Sequence, residues 1–537
     1  MFVRDANAHN MEEELMIIRK RLALGAAVIS LLLPGLSSIL TAEVRLPAVL
    51  GDHMVIQRDK PVSVWGWAGR GEKISVRLAG REAGTRAAAD GSWRVSLDPL
   101  GAGSGPLEMA VREERGPELV VRDILVGEVW LCSGQSNMEW PLQALMSPIP
   151  EILRADDPGL RLFLVPKRAA DRPESDVQAA WSLCAPETAR PFSAVGYYFG
   201  SELRKALGVP VGLIESAWGG TDIEPWTPTA GFEAVPDVKP ILTGLADKVA
   251  EYRKGLERAL PIWEGWVRES RKAIASGAEL PRRPEPLIHP LDDPQAPTAL
   301  YNGMIHPLVP FAIRGAIWYQ GENNRNDCLF YEKKMEALIR GWRAVWALGD
   351  FPFGYVQLAP YSYGYNREVP TGDIPDFFRL PLIWEAQTNI LRLSNTGMAV
   401  VTDITDLNDI HPLDKKDVGA RLALWARAKV YGETGLAYSG PLFRSMKVEG
   451  DRARISFDHA GGGLIANDGR PLTWFEIAGE DRVFYKAEAE ISGDAVVVRS
   501  PRVAVPAAVR FGWHQLAVPN LANKEGLPAS PFRTDRW

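Results

Sequence analysis

The sequence predicts an α/β protein: a parallel sheet with helices on both faces and an additional β domain at each end. Near-continuous apolar runs such as ILVGEVWLC (124–132) and VGLIESAWGG (211–220) are typical of strands buried on both faces. Segments with helical periodicity, among them SAVGYYFGSELRKALG (193–208) and DVGARLALWARAKVYG (417–432), alternate with these runs. This alternation predicts a parallel sheet, because each crossover helix packs back onto a face of the sheet.

The first 42 residues have the features of a signal peptide. Basic residues at 19–21 precede the apolar run LALGAAVISLLL (22–33), and small residues follow up to Ala42. The run is shorter than the ~20 residues of a membrane-spanning helix, and no later segment is apolar enough to span a bilayer. We therefore expect a secreted or periplasmic protein without stable membrane insertion after cleavage between about Ser38 and Ala42. An N-terminal membrane anchor is the alternative.

Changes in sequence pattern define the remaining domains. Short alternating runs separated by Gly and Pro, such as PVSVWGWAG (61–69), predict an N-terminal β-sandwich over residues 43–122. The α/β domain is expected over 123–435, interrupted at about 228–298 by a charged amphipathic helical insertion and a Pro-rich linker. Alternating runs return beyond it and predict a C-terminal β-sandwich over 436–537.

The composition excludes several classes of function. With 61 Lys+Arg against 67 Asp+Glu, the net charge is −6, so no basic excess exists to neutralise a nucleic acid backbone. The three cysteines form neither a disulfide framework nor a C-x-x-C pair, and we predict no metal or organic cofactor. The 18 tryptophans fit either core packing in β-rich domains or the stacking of sugar rings.

A candidate nucleophile follows the first buried strand of the α/β domain. The strand leads directly into Ser133-Gly134-Gln135-Ser136-Asn137. Open parallel sheets bind ligands at the carboxyl ends of their strands, which is where Ser136 is expected. A serine hydroxyl needs an adjacent base to act as a nucleophile. Taken alone, Ser136 is equally well explained as the cap of the next helix.

A candidate base follows a later strand, TGMAVVTDI (396–404), in the motif Asp409-Ile410-His411-Pro412. Histidine is the usual base for a serine nucleophile, and a carboxylate must orient its ring. His411 is the one histidine of seven that lies just past a buried strand among carboxylates. The alternative is a metal site, which we disfavour because no second His or Cys lies at a metal-ligand spacing from His411. The acidic residues near it are Asp403, Asp406, Asp409 and Asp414.

Two further strand ends carry candidate hydrogen-bond donors for an oxyanion. SAWGGT (216–221) follows one strand, and WYQGENN (318–324) follows another. Acyl transfer needs N–H groups aimed at the oxygen that becomes negative, and both glycine backbones and Gln or Asn amides can supply them. Either segment alone is also explained as an ordinary turn.

The combined motifs resemble the SGNH-hydrolase superfamily, in which a Ser turn, a Gly turn, a Gly-x-Asn-like turn and a late Asp/His motif occur in this order. GEVWLCSGQSNMEW, SAWGGTDIEPW, WYQGENN and NDIHPLDKKDVG resemble the sialate O-acetylesterase family, which includes related bacterial carbohydrate acetylesterases. FEIAGEDRVFYKAEAEI (475–491) and NLANKEGLPASPFRTD (520–535) are also similar to that family, so the resemblance covers nearly the whole mature chain. It implies an SGNH-type, flavodoxin-like α/β/α sandwich.

The resemblance also implies roles for individual residues. Ser136 is expected to be the nucleophile, His411 the base and then the acid, and Asp409 the residue that orients His411. The backbone N–H groups of Ser136 and Gly219 are expected to hold the oxyanion, together with the side chain of Gln320 or Asn323. The residues predicted to bind substrate are Trp218, Trp140 and Glu322. No metal or cofactor is implied.

The sequence departs from the superfamily pattern at two places. The usual Asp-x-x-His is absent because position 408 is Asn. Asp409, two residues before His411, is chosen as the acid that orients the imidazole, and Asp406 is the second candidate. Gly321-Glu322-Asn323-Asn324 replaces Gly-x-Asn-Asp, which leaves open the side chain that completes the oxyanion hole.

The expected function is hydrolysis of acetyl esters on a sugar. The substrate is expected to be an acetylated sialate, an acetylated xylan or another acetylated plant glycan. The tryptophans near the predicted pocket favour a neutral sugar; they are Trp140, Trp218, Trp226 and Trp318. A catalytically inactive carbohydrate-binding protein and a metal-dependent deacetylase are the alternatives.

Overall fold

The computed structural model describes residues 43–103, 105–114, 116–364 and 375–537. Of these, Val44–Trp537 pack as a single unit. The predicted signal peptide, residues 1–42, lies outside the described residues. None of the described helices combines the length and the apolar character that crossing a membrane requires.

The N-terminal part consists of short strands with alternating burial. The pairs β2–β5 and β3–β4 are antiparallel, and β3 also pairs with β6, as expected for a small β domain. Its strands are β1 (Val55–Gln57), β2 (Val62–Trp67), β3 (Lys73–Leu78), β4 (Arg81–Arg86), β5 (Ser92–Leu97) and β6 (Leu107–Glu113).

A single long strand, β7 (Glu118–Gly134), joins this part to the α/β region. Its first half pairs with β6, and its second half is the central strand of the large sheet. The predicted domain boundary at 122/123 therefore falls inside a continuous strand, and the boundaries at 435/436 and around the insertion remain predictions.

The large sheet has the order β13-β12-β11-β7-β10-β8-β9 and is parallel except for the edge strand β9. The α/β class is thereby confirmed. The five strands β10-β7-β11-β12-β13 have the 2-1-3-4-5 order of flavodoxin-like sheets, and β8 and β9 extend the sheet beyond β10. The strands added here are β8 (Asp157–Leu164), β9 (Trp181–Cys184), β10 (Val211–Ala217), β11 (Gly315–Tyr319), β12 (Phe353–Val356) and β13 (Thr396–Ala399).

Helices cover both faces of this sheet. Trp130 of β7 packs edge-on against Phe199 and Trp425 on one face, and Trp318 of β11 packs against Trp226 and Trp342 on the other. The helices are α1 (Ser136–Glu139), α2 (Pro148–Arg154), α3 (Pro186–Ala189), α4 (Ala194–Leu207), α5 (Thr229–Ala234), α6 (Pro240–Ser276), α7 (Tyr331–Trp346), α8 (Arg379–Asn389) and α9 (Lys415–Trp425).

The predicted insertion contains α5 and the long helix α6. The apolar residues Leu260, Ile262 and Ile274 of α6 are exposed, and only Ser270 and Ala273 of this helix are buried. The segment is helical, as its periodicity predicts, and most of the long helix is not buried.

The C-terminal part is a β domain with its own apolar core, which includes Ile455, Ile477, Val496 and Phe511. The domain contains two four-stranded sheets, β14-β15-β20-β19 and β18-β17-β21-β23, and a separate pair, β16-β22. The strands are β14 (Leu442–Glu449), β15 (Arg452–Asp458), β16 (Leu464–Ala466), β17 (Phe475–Ala478), β18 (Phe484–Lys486), β19 (Glu488–Ser492), β20 (Ala495–Arg499), β21 (Ala508–Phe511), β22 (Leu521–Asn523) and β23 (Phe532–Arg533).

Candidate active site

The candidate nucleophile lies at the carboxyl end of the central strand. Gly134 ends β7 with a φ of +142°, and a Cβ at this position would lie 2.1 Å from the carbonyl oxygen of Tyr319 on β11. Only glycine allows this close approach of the two strand ends. Ser136 then begins α1, so its backbone N–H is one of those without an intrahelical partner.

Ser136 and His411, separated by 275 residues in the chain, are in direct contact. The Oγ of Ser136 lies 2.9 Å from Nε2 of His411. His411 belongs to the loop that follows β13, and β7 and β13 are parallel members of one sheet, so their carboxyl ends lie at the same edge. The structure thus brings the predicted nucleophile and base within hydrogen-bond distance.

Asp409 lies beside the imidazole in a loose arrangement. Its Oδ1 is 3.4 Å from Nδ1 of His411 and accepts the backbone N–H of His411 at 2.8 Å. The carboxylate is 47 % exposed. The reserve candidate, Asp406, uses its carboxylate to accept the backbone N–H of Asn408. Of the two acids, Asp409 is the one positioned to orient His411.

Trp140 packs on the imidazole. Its ring is stacked on that of His411 with centroids 4.6 Å apart and an interplanar angle of 24°. The indole N–H donates to the carbonyl of Ala144, which fixes the ring. Trp140 was predicted to bind substrate, but one face of its ring is committed to holding the base.

A buried polar cluster lies directly behind the Ser136–His411 pair. Nδ2 of Asn137 donates to Glu322 Oε1 at 2.6 Å and to the carbonyl of Ile410 at 3.0 Å, and Oδ1 of Asn137 accepts from Nζ of Lys415. All three side chains are buried. Glu322 was predicted to contact substrate; this is wrong, because its carboxylate points inward to Asn137.

Burial and charge shift the pKa values of this cluster. Burial raises the pKa of Glu322, whereas burial lowers the pKa of Lys415 to about 7. The pKa of His411 is lowered first by burial and then by the positive charge of Lys415, and Asp409 opposes this shift. A lowered pKa keeps the imidazole neutral near pH 7, which is the form that accepts a proton from serine.

Gly219 lies against the nucleophile, but its N–H already has a partner. A Cβ on Gly219 would be 3.1 Å from Cβ of Ser136, so the two residues are adjacent. The N–H of Gly219 donates to Oε2 of Glu139 at 2.6 Å, and Glu139 also pairs with Lys167. The predicted oxyanion donor is therefore occupied by a carboxylate that has to move before Gly219 can bind an oxyanion.

The two side-chain candidates for the oxyanion hole differ in whether an amide hydrogen is free. The amide of Gln320 donates one hydrogen to the carbonyl of Thr221 and the other to Asn324, so the prediction for Gln320 is wrong. Asn323 donates one amide hydrogen to Asp222 at 2.6 Å and retains a second. Its backbone is tied to the nucleophile turn through Oε1 of Gln135.

The predicted aromatic platforms are only partly available. Trp226 and Trp318 are completely buried and belong to the core, so they contribute nothing to sugar binding. Trp218 is partly exposed and adjoins Gly219, with the ammonium of Lys167 5.8 Å from its ring centroid. Of the tryptophans considered for substrate contact, Trp218 is the one whose ring is suitably placed.

The acidic residues near His411 are engaged in structural contacts. Asp403 forms a bidentate pair with Arg421, and Asp414 caps α9 through the N–H of Asp417. Within residues 43–103, 105–114, 116–364 and 375–537, no group of three or more His, Cys, Asp or Glu side chains is arranged to hold a metal ion. Cys132, near Ser136, is buried, and burial raises the pKa of its thiol well above the ordinary value.

Sequence reasoning missed three polar residues of this site. Asn137 and Glu139 lie in the nucleophile motif directly after a buried strand, and this position is their one signal. Lys415 has one signal: it stands at the start of a helix, where a positive charge is unfavourable.

The chain is similar to carbohydrate esterases in sequence and in fold. No family model matches it. Sialate O-acetylesterase of Rattus norvegicus is 31 % identical over 453 residues, which cover 75 % of this chain and 77 % of that protein. The protein of the same name from Homo sapiens is 30 % identical over 435 residues, 74 % of this chain and 73 % of that protein. The crystal structure of XAC1771, a carbohydrate acetylesterase from Xanthomonas citri, is 39 % identical with a TM-score of 0.77, and the match covers 92 % of this chain and 100 % of that one.

Proposed function

This chain belongs to the sialate O-acetylesterase family, and from that membership we propose that it removes O-acetyl groups from a carbohydrate through an acetyl-enzyme formed on Ser136. The observation that carries the proposal is the 2.9 Å contact between Oγ of Ser136 and Nε2 of His411 at the open edge of the sheet. A nucleophile and its base at hydrogen-bond distance are the minimum that acyl transfer requires.

In the first half-reaction, Oγ of Ser136 attacks the acetyl carbonyl while Nε2 of His411 takes the hydroxyl proton. The carbonyl π electrons move onto oxygen and give a tetrahedral oxyanion. When the oxyanion collapses, the bond to the sugar oxygen breaks and His411 returns the proton to that oxygen. The products are an acetyl ester on Ser136 and a free sugar hydroxyl.

In the second half-reaction, water replaces the sugar. His411 takes a proton from water, the hydroxide oxygen attacks the acetyl-serine carbonyl, and collapse of the second oxyanion releases acetic acid, which ionises to acetate. The proton on His411 returns to Oγ of Ser136. Asp409 stabilises the imidazolium that forms twice in each cycle, and stacked Trp140 keeps its ring plane fixed.

For the oxyanion hole we propose the backbone N–H of Ser136 and the free amide hydrogen of Asn323. The N–H of Gly219 joins them when the substrate carbonyl displaces the carboxylate of Glu139, which then remains bound to Lys167. One such donor contributes about 10²–10³ in rate, so freeing the N–H of Gly219 favours the reaction.

The test is acetate release from 9-O-acetyl sialosides and from acetylated xylan, measured by mass spectrometry. Ser136→Ala should abolish release, whereas Ser133→Ala is the matched control: its hydroxyl is buried in the same segment and has no hydrogen-bond partner among the described residues. Equal release by the Ser136→Ala variant would refute the proposal. Loss of wild-type activity with EDTA would support the metal-dependent alternative instead.

We further propose that the protein is exported. The support is the charged segment, apolar run and small residues within positions 19–42. Amino-terminal sequencing of the protein recovered from the periplasm or medium should begin between about Ser38 and Glu43. Recovery of an uncleaved chain from the cytoplasm would contradict this proposal.

A further inference from the structure

Lys415 is a buried lysine whose ammonium has no carboxylate in direct contact within the part of the chain that the structure describes, although Glu322 and Asp409 act on it from a greater distance. Its side chain is fully buried, and no carboxylate of the described residues lies within 4 Å of its ammonium. Lysines are almost never buried unless they are paired, because removing a charge from water is costly. Lys415 is also the first residue of α9, where the helix dipole disfavours a cation. Its position therefore reduces stability and calls for a functional explanation.

The contacts of Lys415 lead to both catalytic groups. Its Nζ donates to Oδ1 of Asn137, the residue next to the nucleophile, and lies 5.8 Å from the ring centroid of Trp140, which is stacked on His411. It also lies 5.5 Å from the ring centroid of Tyr319 at the end of β11. A cation over an aromatic face is a favourable contact, so the ammonium has partners even without a carboxylate.

The hydrogen bond from Lys415 determines which way the amide of Asn137 faces. An amide has an acceptor end and a donor end, and an ammonium can only donate. With Lys415 on Oδ1, the Nδ2 group must face Glu322 Oε1 and the carbonyl of Ile410. Because Ile410 precedes His411, this bond ties the loop of the base to the helix of the nucleophile.

We propose that Lys415 is a positioning residue for the reaction of Ser136: through Asn137 it holds the loop of His411, and it places a positive charge near the base. The inference rests on the function proposed above and adds the pH range over which it operates.

The charged groups around His411 agree with this role. Asp409 lies beside the imidazole on its own loop, and Lys415 of α9 acts on the imidazole through its charge. Glu322, in the loop after β11, acts on Lys415 instead and accepts a hydrogen bond from Asn137. On α1, the carboxylate of Glu139 is directed away, to Gly219 and Lys167. Lys415 is thus the cation that opposes protonation of His411.

The protonation states of the two groups are coupled. The pKa of Lys415 is lowered to about 7, so the ammonium is charged in the acidic range in which an ordinary imidazole takes up a proton. In that range its charge lowers the pKa of His411. The base therefore remains available at a lower pH than it otherwise would, and the two groups titrate as a pair.

The test compares Lys415→Met with Lys415→Arg across a pH series of kcat/KM. Methionine removes the charge and the donor at similar volume but leaves Oδ1 of Asn137 without this donor, so thermal melting has to show that the variant folds. The acidic limb should move up by about one pH unit, which approaches a tenfold loss of kcat/KM at pH values well below the limb, with KM unchanged. Arginine keeps the charge, so the limb should return toward its wild-type position.

Lys416→Met is the matched control. Lys416 is the next residue of the same helix, is 63 % exposed and pairs with Glu151. This variant loses the same charge at the surface and should keep the wild-type pH profile. Lys415→Gln provides a second neutral variant, and thermal melting of every variant shows that it is folded.

The pKa of His411, followed by NMR of labelled histidines and assigned with His411→Gln, separates this inference from the proposed function. An upward shift in Lys415→Met supports the role of Lys415 even if no sugar ester is hydrolysed. The inference would be overturned if folded Lys415→Met and Lys415→Gln kept both the wild-type pKa of His411 and the wild-type acidic limb of kcat/KM. An equal shift of the acidic limb in Lys416→Met would also overturn it.

Discussion

Replacement of Asp409 by Ala should reduce kcat/KM far less than removal of a buried triad acid does. The carboxylate lies 3.4 Å from Nδ1 of His411, beyond an ordinary N–H···O distance, and is 47 % exposed. Solvent screens such a pair, so we assign it about 1.4–2.7 kcal/mol of transition-state stabilisation, no more than one charged hydrogen bond, rather than the about 5.4 kcal/mol that a ~10⁴-fold loss represents. This corresponds to about a 10- to 100-fold loss, against the ~10⁴-fold loss typical of a buried acid.

The assay is steady-state hydrolysis of p-nitrophenyl acetate over a pH series. Asp409 raises the pKa of His411, so its removal should lower that pKa and move the acidic limb of kcat/KM to lower pH. Asp406→Ala is the control, because the carboxylate of Asp406 accepts the N–H of Asn408 rather than facing the imidazole. A loss near 10⁴-fold in Asp409→Ala, or a larger loss in Asp406→Ala, would refute this reasoning.

Three further substitutions separate packing from catalysis. Trp318→Ala should destabilise the fold by about 3–5 kcal/mol in urea unfolding because the ring is buried in the core, whereas Trp218→Ala should raise KM for the sugar ester with little change in unfolding. If Trp318→Ala raised KM and Trp218→Ala destabilised the fold, the assignment of sugar binding to Trp218 would be wrong. Gly219→Ala should lower kcat about 10²-fold without a large change in melting temperature, since the added methyl lies 3.1 Å from Cβ of Ser136 and crowds the predicted oxyanion. Wild-type kcat in this variant would exclude Gly219 from the site.

The sequence predicts the fold class and the catalytic pair because both depend on patterns that are local in the chain. Buried strands such as β7 and β10 are recognisable as apolar runs, and parallel strands must end at one edge of the sheet. That rule places Ser136 and His411 at the same edge of the sheet, and the resemblance of their motifs to a known family predicts their pairing across 275 residues. The flanking β domains are likewise visible in the alternation of strands such as β2 and β15.

The remaining errors concern the direction of individual side chains. Gln320 and Glu322 stand beside each other in one motif, yet both turn inward and take buried partners. Trp318 lies near the end of β11, and Trp218 directly follows β10. Pleating and the covering helices bury Trp318 but leave Trp218 partly exposed. The hydrogen bond from Gly219 to Glu139 joins the turn after β10 to helix α1, and no local sequence pattern contains such a contact.

The central claim is that His411 activates Ser136, and covalent labelling with a serine-directed organophosphonate tests it most directly. Peptide mapping of the labelled protein should find one adduct, on Ser136, formed at least about 10²-fold more slowly in His411→Ala and absent in Ser136→Ala. Labelling of Ser136 at the same rate without the imidazole, or an adduct on a different serine, would contradict the account.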